Sequence, residues 1–225
     1  MTRSEPRSLL VVGAGLAGWR TAKETRKAGF DGVITVLSDE DEIPYDRPPL
    51  SKQVLTGEWE ASKARLTDDD EIGSLDIDLR RGVRATSISG DGVETSEGER
   101  LETDVVVLAT GARAAVPPLV ADQPAVRTLR KLGDSVQLAA DLDRAGSVLV
   151  LGGGFIGAEV AAAARTHDTE VTIVEAMPGL LGPLGSEVGG VVQQRLHDVG
   201  VTALTGTPVS SVDAHDDGVE VELAD

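Results

Sequence analysis

Cysteine is absent from the 225 residues, and aromatics are scarce: two Trp, two Phe and one Tyr, 2% of the chain. Without a thiol these residues can form no disulfide and no thiolate-held zinc or iron–sulfur cluster. They also lack the redox thiols that carry electrons in disulfide reductases and form sulfenates in peroxidases. With so few rings, the core is expected to consist of Val, Ile, Leu and Ala. Positive charge is in short supply, 21 Lys and Arg against 38 Asp and Glu, a formal net charge of −17. That balance argues against nucleic acid or an anionic membrane as a partner. Long apolar runs are missing as well. The run that follows Arg3 and Arg7 is broken by Gly13 after four residues, too short for a signal sequence, and no run approaches a membrane span. A cytoplasmic location is expected. His167, His197 and His215 stand in polar stretches without metal-ligand spacing, so all three are expected at the surface and no metal site is expected.

Glycine, by contrast, is placed with purpose. Gly13-Ala14-Gly15-Leu16-Ala17-Gly18 and Gly152-Gly153-Gly154-Phe155-Ile156-Gly157 each follow an apolar run and precede an Ala-rich helical pattern. In such a loop the first glycine permits the tight turn, the second lets the backbone approach a diphosphate, and the third lets helix and strand pack closely. The diphosphate then meets the free N–H groups that open the helix. Two loops imply two dinucleotides, most economically a flavin and a nicotinamide with a hydride passing between them. Asp39 follows Gly18 by 21 residues and Glu175 follows Gly157 by 18, near the roughly 20 expected of a carboxylate that binds an adenosine ribose. The alternative is that both are solvated charges at strand ends. A carboxylate at 175, with no arginine in Ala176-Met177-Pro178-Gly179, favours NAD over NADP.

The pattern predicts an α/β fold with two Rossmann-like units and a small β-meander, divided into residues 1–113 and 114–225. In the first part, residues 19–28 read as a helix, 32–37 as a strand, 50–55 as the start of a helix and 67–72 as solvated acidic surface. Residues 77–79 and 80–88 read as extended, Asp91-Gly92 and Glu97-Gly98 punctuate the meander, and 105–108 form an apolar strand ending at Ala109-Thr110-Gly111. Pro117-Pro118 reads as a linker. Beyond it come helices over 135–144, 158–166 and 189–199, a strand over 170–174, and a hairpin around Asp217-Gly218.

Tyr45-Asp46-Arg47-Pro48-Pro49-Leu50-Ser51-Lys52, together with the first glycine loop, Ala109-Thr110-Gly111 and Gly152 to Glu159, closely resembles the FAD-dependent, NADH-linked ferredoxin reductases of bacterial oxygenase systems. Rubredoxin reductases share the motif. On physical grounds the two prolines stiffen the loop, and the fork of Arg47 suits phosphate oxygens. A positive charge such as that of Lys52 suits an electron-rich reduced flavin. The resemblance implies that Lys52 lies beside the flavin and pairs with Glu159, and that Val83 contacts the adenine through its backbone. Read alone, Lys52 is a solvent lysine, Glu159 a carboxylate near a helix start, and Val83 a strand residue. FAD and NADH are the implied cofactors, and a ferredoxin or rubredoxin-type protein is the implied electron acceptor. Catalysis would rest on positioning and charge compensation, with no nucleophile and no general base.

Two departures stand out. Where relatives continue after Ala-Thr-Gly with a proline and a basic residue, this sequence has Ala114 and Ala115; Ala115 stands at the basic position, and Arg113 would need a different backbone path to substitute for it. The arginines usual after Glu175 give way to Gly179 and a Leu-Gly-Pro stretch. The resemblance also implies that both units are incomplete relative to the family. Two further readings therefore stand beside the reductase: a truncated or split nucleotide-binding remnant with no independent activity, for which a complementing chain is a candidate partner, and another NADH-dependent flavin oxidoreductase.

Overall fold

A computed structural model describes residues 5–90, 92–121, 123–215 and 218–224. Asp91 and Asp217, where the sequence predicts turns, and Arg3 lie outside the described residues. The chain divides into two units, Met1–Asp46 with Arg65–Ala112, and Arg47–Ala64 with Arg113–Asp225. This differs from the linear division at residue 113, because residues 47–64 group with the second unit.

In the first unit, β1 (Ser8–Val12) leads through the glycine loop to α1 (Leu16–Lys27) and β2 (Val33–Leu37). Then follow α2 (Asp69–Ser74), β3 (Ile77–Arg80), β4 (Ala85–Ser89), β5 (Gly92–Thr95), β6 (Arg100–Glu102) and β7 (Val105–Leu108). The parallel sheet runs β3-β2-β1-β7, and β4-β5-β6 form a separate antiparallel meander. Alternation along β1 explains the layers. Leu9 and Val11 pack with Trp19 and Ala22 of α1, whereas Leu10 and Val12 pack with Leu37, Val83 and Val93 on the opposite face. The core is not purely aliphatic: Trp19, 1% exposed, is its largest fully buried side chain.

Three local expectations change. The acidic stretch 67–72 is not merely surface, because Asp69, Asp70 and Glu71 open α2 behind Asp68, whose carboxylate accepts the Glu71 N–H at 2.8 Å. Carboxylates stabilise the positive end of a helix, so the run that reads as solvated charge is also a helix start. Residues 80–88 are not continuously extended, since Gly82 turns the chain at φ 72° and leaves Val83 between β3 and β4. Residues 50–55 do not open an α-helix; a 3-10 turn, Pro48–Ser51, is followed by hydrogen-bonded turns.

In the second unit, α3 (Leu132–Leu142), β8 (Ser147–Leu151), α4 (Phe155–Ala164), β9 (Glu170–Glu175), α5 (Ser186–Asp198) and β10 (Val201–Thr205) form a parallel sheet of order β10-β9-β8 with its helices. An antiparallel hairpin, β11 (Val209–His215) and β12 (Gly218–Leu223), follows. Pro118–Val120, expected as linker, is a 3-10 turn that buries Val120. The core joins Leu138 and Leu142 of α3, the Ala-rich face of α4, Val171 and Ile173 of β9, Leu180 and Leu196. Leu55, fully buried, belongs to the same cluster, and that insertion ties residues 47–64 to this unit. Among the described residues no helix is long and apolar enough to cross a membrane.

Candidate functional site

At the end of β1 the backbone turns sharply at Gly13, whose φ is 106°; a β-carbon there would lie 2.3 Å from the Ala109 carbonyl oxygen. Gly15 caps α1 with no atom within 4 Å of where its β-carbon would sit, and no side chain caps the helix. On Gly18 a β-carbon would meet the Gly13 carbonyl oxygen at 1.8 Å, so only glycine lets α1 pack this close to the loop. Leu16 and Ala17 are exposed in the first turn. The result is an open helix start whose N–H groups are available to an anion. Asp39, exposed two residues past β2, has its carboxylate 3.7 Å from the Arg84 guanidinium. Ala109 donates its N–H to the Val12 carbonyl at 2.8 Å, Thr110 is exposed, and Gly111 turns at φ 65°. Val83, placed by the sequence in a strand, instead buries its side chain in the core from a loop.

The second unit repeats the construction. Gly152 has φ 101°, Gly154 caps α4 with open space above it and no side-chain cap, and a β-carbon on Gly157 would lie 2.1 Å from the Gly152 carbonyl oxygen. Phe155 and Ile156 are exposed by 53% and 51%, so the first turn presents an apolar surface beside the open loop. Glu175 ends β9 with both carboxylate oxygens engaged: Oε2 accepts the Gly153 N–H at 2.6 Å and Oε1 the Met177 N–H at 2.7 Å. Each oxygen keeps a lone pair for a further donor.

Residues 47–64 add a third cluster to this unit. Lys52 Nζ lies 2.8 Å from Glu159 Oε2, and Ser51 Oγ donates to the same oxygen at 2.5 Å. Arg47 donates to the Arg130 carbonyl at 2.5 Å, and Ser135 Oγ donates to the Leu50 carbonyl at 2.6 Å. A cavity of about 210 Å3 is lined by Arg47, Leu50, Ser51, Arg113, Arg130 and Ile156, among others. Three arginines thus line one small space, a concentration of positive charge in a chain that is otherwise strongly acidic.

Lys52 and Glu159 are therefore brought together, as are Gly152, Gly154 and Gly157 with Glu175, which ends β9 and accepts from Gly153. Gly13 to Gly18, Asp39, Val83 and Ala109 to Gly111 belong to the first unit, whereas Arg47 and Lys52 belong to the second. Sequence reasoning passed over Arg130, Ser51 and Gly153. Ser51 stood inside a recognised motif and Gly153 inside a run of three glycines, but Arg130 carried no signal beyond its neighbours Arg127 and Lys131. His197 and His215 are exposed, but the expectation fails for His167. Its side chain is only 8% exposed, Nδ1 lies 2.7 Å from Asp143 Oδ1, and Nε2 donates to the Leu55 carbonyl at 2.9 Å. A polar sequence neighbourhood hid a contact made across 112 residues. Among the described residues no group of three acidic, His or Cys side chains could hold a metal ion.

The sequence profile of the pyridine nucleotide-disulphide oxidoreductase family matches residues 7–225. Rhodocoxin reductase of Rhodococcus erythropolis is 36% identical over 213 residues, covering 93% of this chain and 50% of that protein. The benzene 1,2-dioxygenase system ferredoxin–NAD(+) reductase subunit of Pseudomonas putida is 38% identical over 205 residues, covering 89% and 50%. Among solved structures, the reductase of a covalent putidaredoxin reductase–putidaredoxin complex superposes with a TM-score of 0.92 at 31% identity, covering 98% of this chain and 55% of that one. The chain spans about half the length of the curated relatives it matches.

Proposed function

Because this chain belongs to the pyridine nucleotide-disulphide oxidoreductase family, we propose that it carries the nucleotide-binding machinery of an FAD-dependent, NADH-linked reductase that passes electrons to a ferredoxin or rubredoxin-type iron–sulfur protein. The observation that carries the reading is the duplication: two glycine loops of the same geometry, each opening a helix without a side-chain cap, each followed by a carboxylate at or just past the end of the next strand. The open positions at Gly15 and Gly154 fit a dinucleotide diphosphate, and filling either with a side chain would close that space.

Bound FAD would supply the hydride-accepting and single-electron chemistry. The chain's own residues bind and orient. The loop of Gly13, Gly15, Leu16, Ala17 and Gly18 receives the FAD diphosphate, with Asp39 on its ribose and Val83 and Ala109 to Gly111 as further contacts. Gly152, Gly154, Phe155, Ile156 and Gly157 receive NADH. Glu175 accepts from the ribose hydroxyls, and with no Lys or Arg over residues 176–185 it disfavours a 2′-phosphate, which selects NAD. Lys52, held by Glu159, supplies positive charge to the flavin. Arg47, Arg113 and Arg130 provide cationic contacts for phosphate, the role left open by Ala115. This chain offers no thiol for disulfide reduction. The cytoplasm, where NADH and ferredoxins meet, is the proposed location.

The test is an anaerobic titration of the FAD-loaded protein with NADH, followed by addition of oxidised ferredoxin. Bleaching of the flavin absorption by NADH, and its return with ferredoxin, is the expected result. A protein that takes up no FAD would leave the nucleotide-binding remnant as the reading. Bleaching reversed only by oxygen would favour an NADH oxidase.

A further inference from the structure

We infer that Ser51 is a positioning residue that fixes the Lys52–Glu159 pair and thereby the place of the Lys52 ammonium. Its functional meaning rests on the flavin reading above; its geometry does not.

Glu159 and Lys52 are long and rotamer-rich, and both reach solvent, with side chains 33% and 45% exposed. An ion pair between two such groups is ordinarily weak and loosely held. Ser51 changes that. It is 3% exposed and ends the Pro48–Ser51 turn, which is stiffened by two prolines and hydrogen-bonded from Leu50 N–H to the Arg47 carbonyl and from Lys52 N–H to the Pro49 carbonyl. The turn is anchored in addition by Ser135, which donates to the Leu50 carbonyl. Its hydroxyl has one proton, a carboxylate can only accept, and so Ser51 donates to Glu159 Oε2. The Lys52 ammonium meets that same oxygen and also donates to the Pro48 carbonyl at 3.3 Å. One short-tethered, buried donor thus selects the rotamer of Glu159 and the oxygen presented to Lys52. Remove it and the carboxylate is free to swing into water, taking the ammonium's anchor with it.

The experiment uses the whole chain without flavin and measures how fast limiting acetic anhydride acetylates Lys52, across a range of pH, by peptide mass spectrometry. An ammonium held on a carboxylate reacts slowly. Glu159→Gln sets the rate of the released lysine. Ser51→Ala is expected to raise the rate about tenfold, the size of one charge-assisted hydrogen bond, while Ser51→Thr, which keeps the hydroxyl, restores the parent rate and its pH profile. Ser51→Cys, similar in volume but a poor donor, takes the place of Ser51→Ala if that variant does not fold. Parent rates in both Ser51→Ala and Ser51→Cys, with Glu159→Gln raised, would overturn the inference. In the FAD-loaded protein, Ser51→Ala is expected to shift the flavin midpoint potential in the same direction as Lys52→Ala. If Lys52→Ala leaves the potential unmoved, the flavin reading fails, and the acetylation rates still decide whether Ser51 holds the pair.

Discussion

Gly153 and Glu175 are joined across the second unit's glycine loop, the Gly153 N–H donating to Glu175 Oε2 at 2.6 Å. A β-carbon on Gly153 would lie 2.3 Å from Leu180 Cδ2 and 3.3 Å from Glu175 Cβ, so glycine is what lets the loop close onto both side chains. Glu175→Ala is expected to weaken NADH binding roughly tenfold, about 1.4 kcal/mol, and to narrow the preference over NADPH by removing the repulsion of a 2′-phosphate. Titrations with each nucleotide, followed by fluorescence, measure both effects. Unchanged NADH affinity would remove Glu175 from the ribose site.

His167 spans Asp143 and the Leu55 carbonyl with its two ring nitrogens. Its loss leaves the Leu55 carbonyl short of a donor and loosens residues 47–64 from the core they share with α3 and α4. His167→Ala should destabilise the second unit by about 2 kcal/mol, read from urea unfolding, with residues 47–64 becoming the first to exchange amide hydrogens. His197→Ala, at an exposed site, is the control and should change little.

Acid should weaken both units through identifiable carboxylates. Asp104 accepts the Arg7 N–H, the Ser8 hydroxyl and the Ser8 N–H, which stabilise the carboxylate and hold its pKa below the ordinary carboxyl value. Burial of Asp141 works to raise its value, but hydrogen bonds from Arg127, Gln137 and Arg144 outweigh that and lower it. A carboxyl lowered in the folded state contributes stability that is present above its unfolded value and is lost as pH falls through the folded one. Stability should therefore decline below about pH 4, and Asp104→Asn and Asp141→Asn should each flatten that decline in urea titrations taken from about pH 6 to about pH 3.

The glycine loops were legible because their demand is steric and local. Gly13 and Gly152 need positive φ, Gly18 and Gly157 need the absence of a β-carbon, and no other residue meets either condition cheaply. The parallel strands were legible from continuous apolar runs. The pairing of Lys52 with Glu159 was readable only through resemblance, since 107 residues separate them and neither sits in a pattern that names the other. The contacts of His167 with Leu55 and of Ser51 with Glu159 are long-range in the same way. The grouping of residues 47–64 with the second unit was hidden for a related reason. It depends on Leu55 entering a core whose other members begin at Leu138. Helix α2 was missed because acidic residues serve both solvent and a helix start.

Whether the two glycine loops hold two separate dinucleotides is decided by equilibrium binding of FAD and of NADH to the parent protein, Gly15→Ala and Gly154→Ala. Neither added methyl meets an atom within 4 Å, so both variants should fold as the parent does. The account predicts that Gly15→Ala loses FAD while keeping NADH, and that Gly154→Ala loses NADH while keeping FAD. Two variants that bind both dinucleotides like the parent, or one substitution that abolishes both, would contradict it.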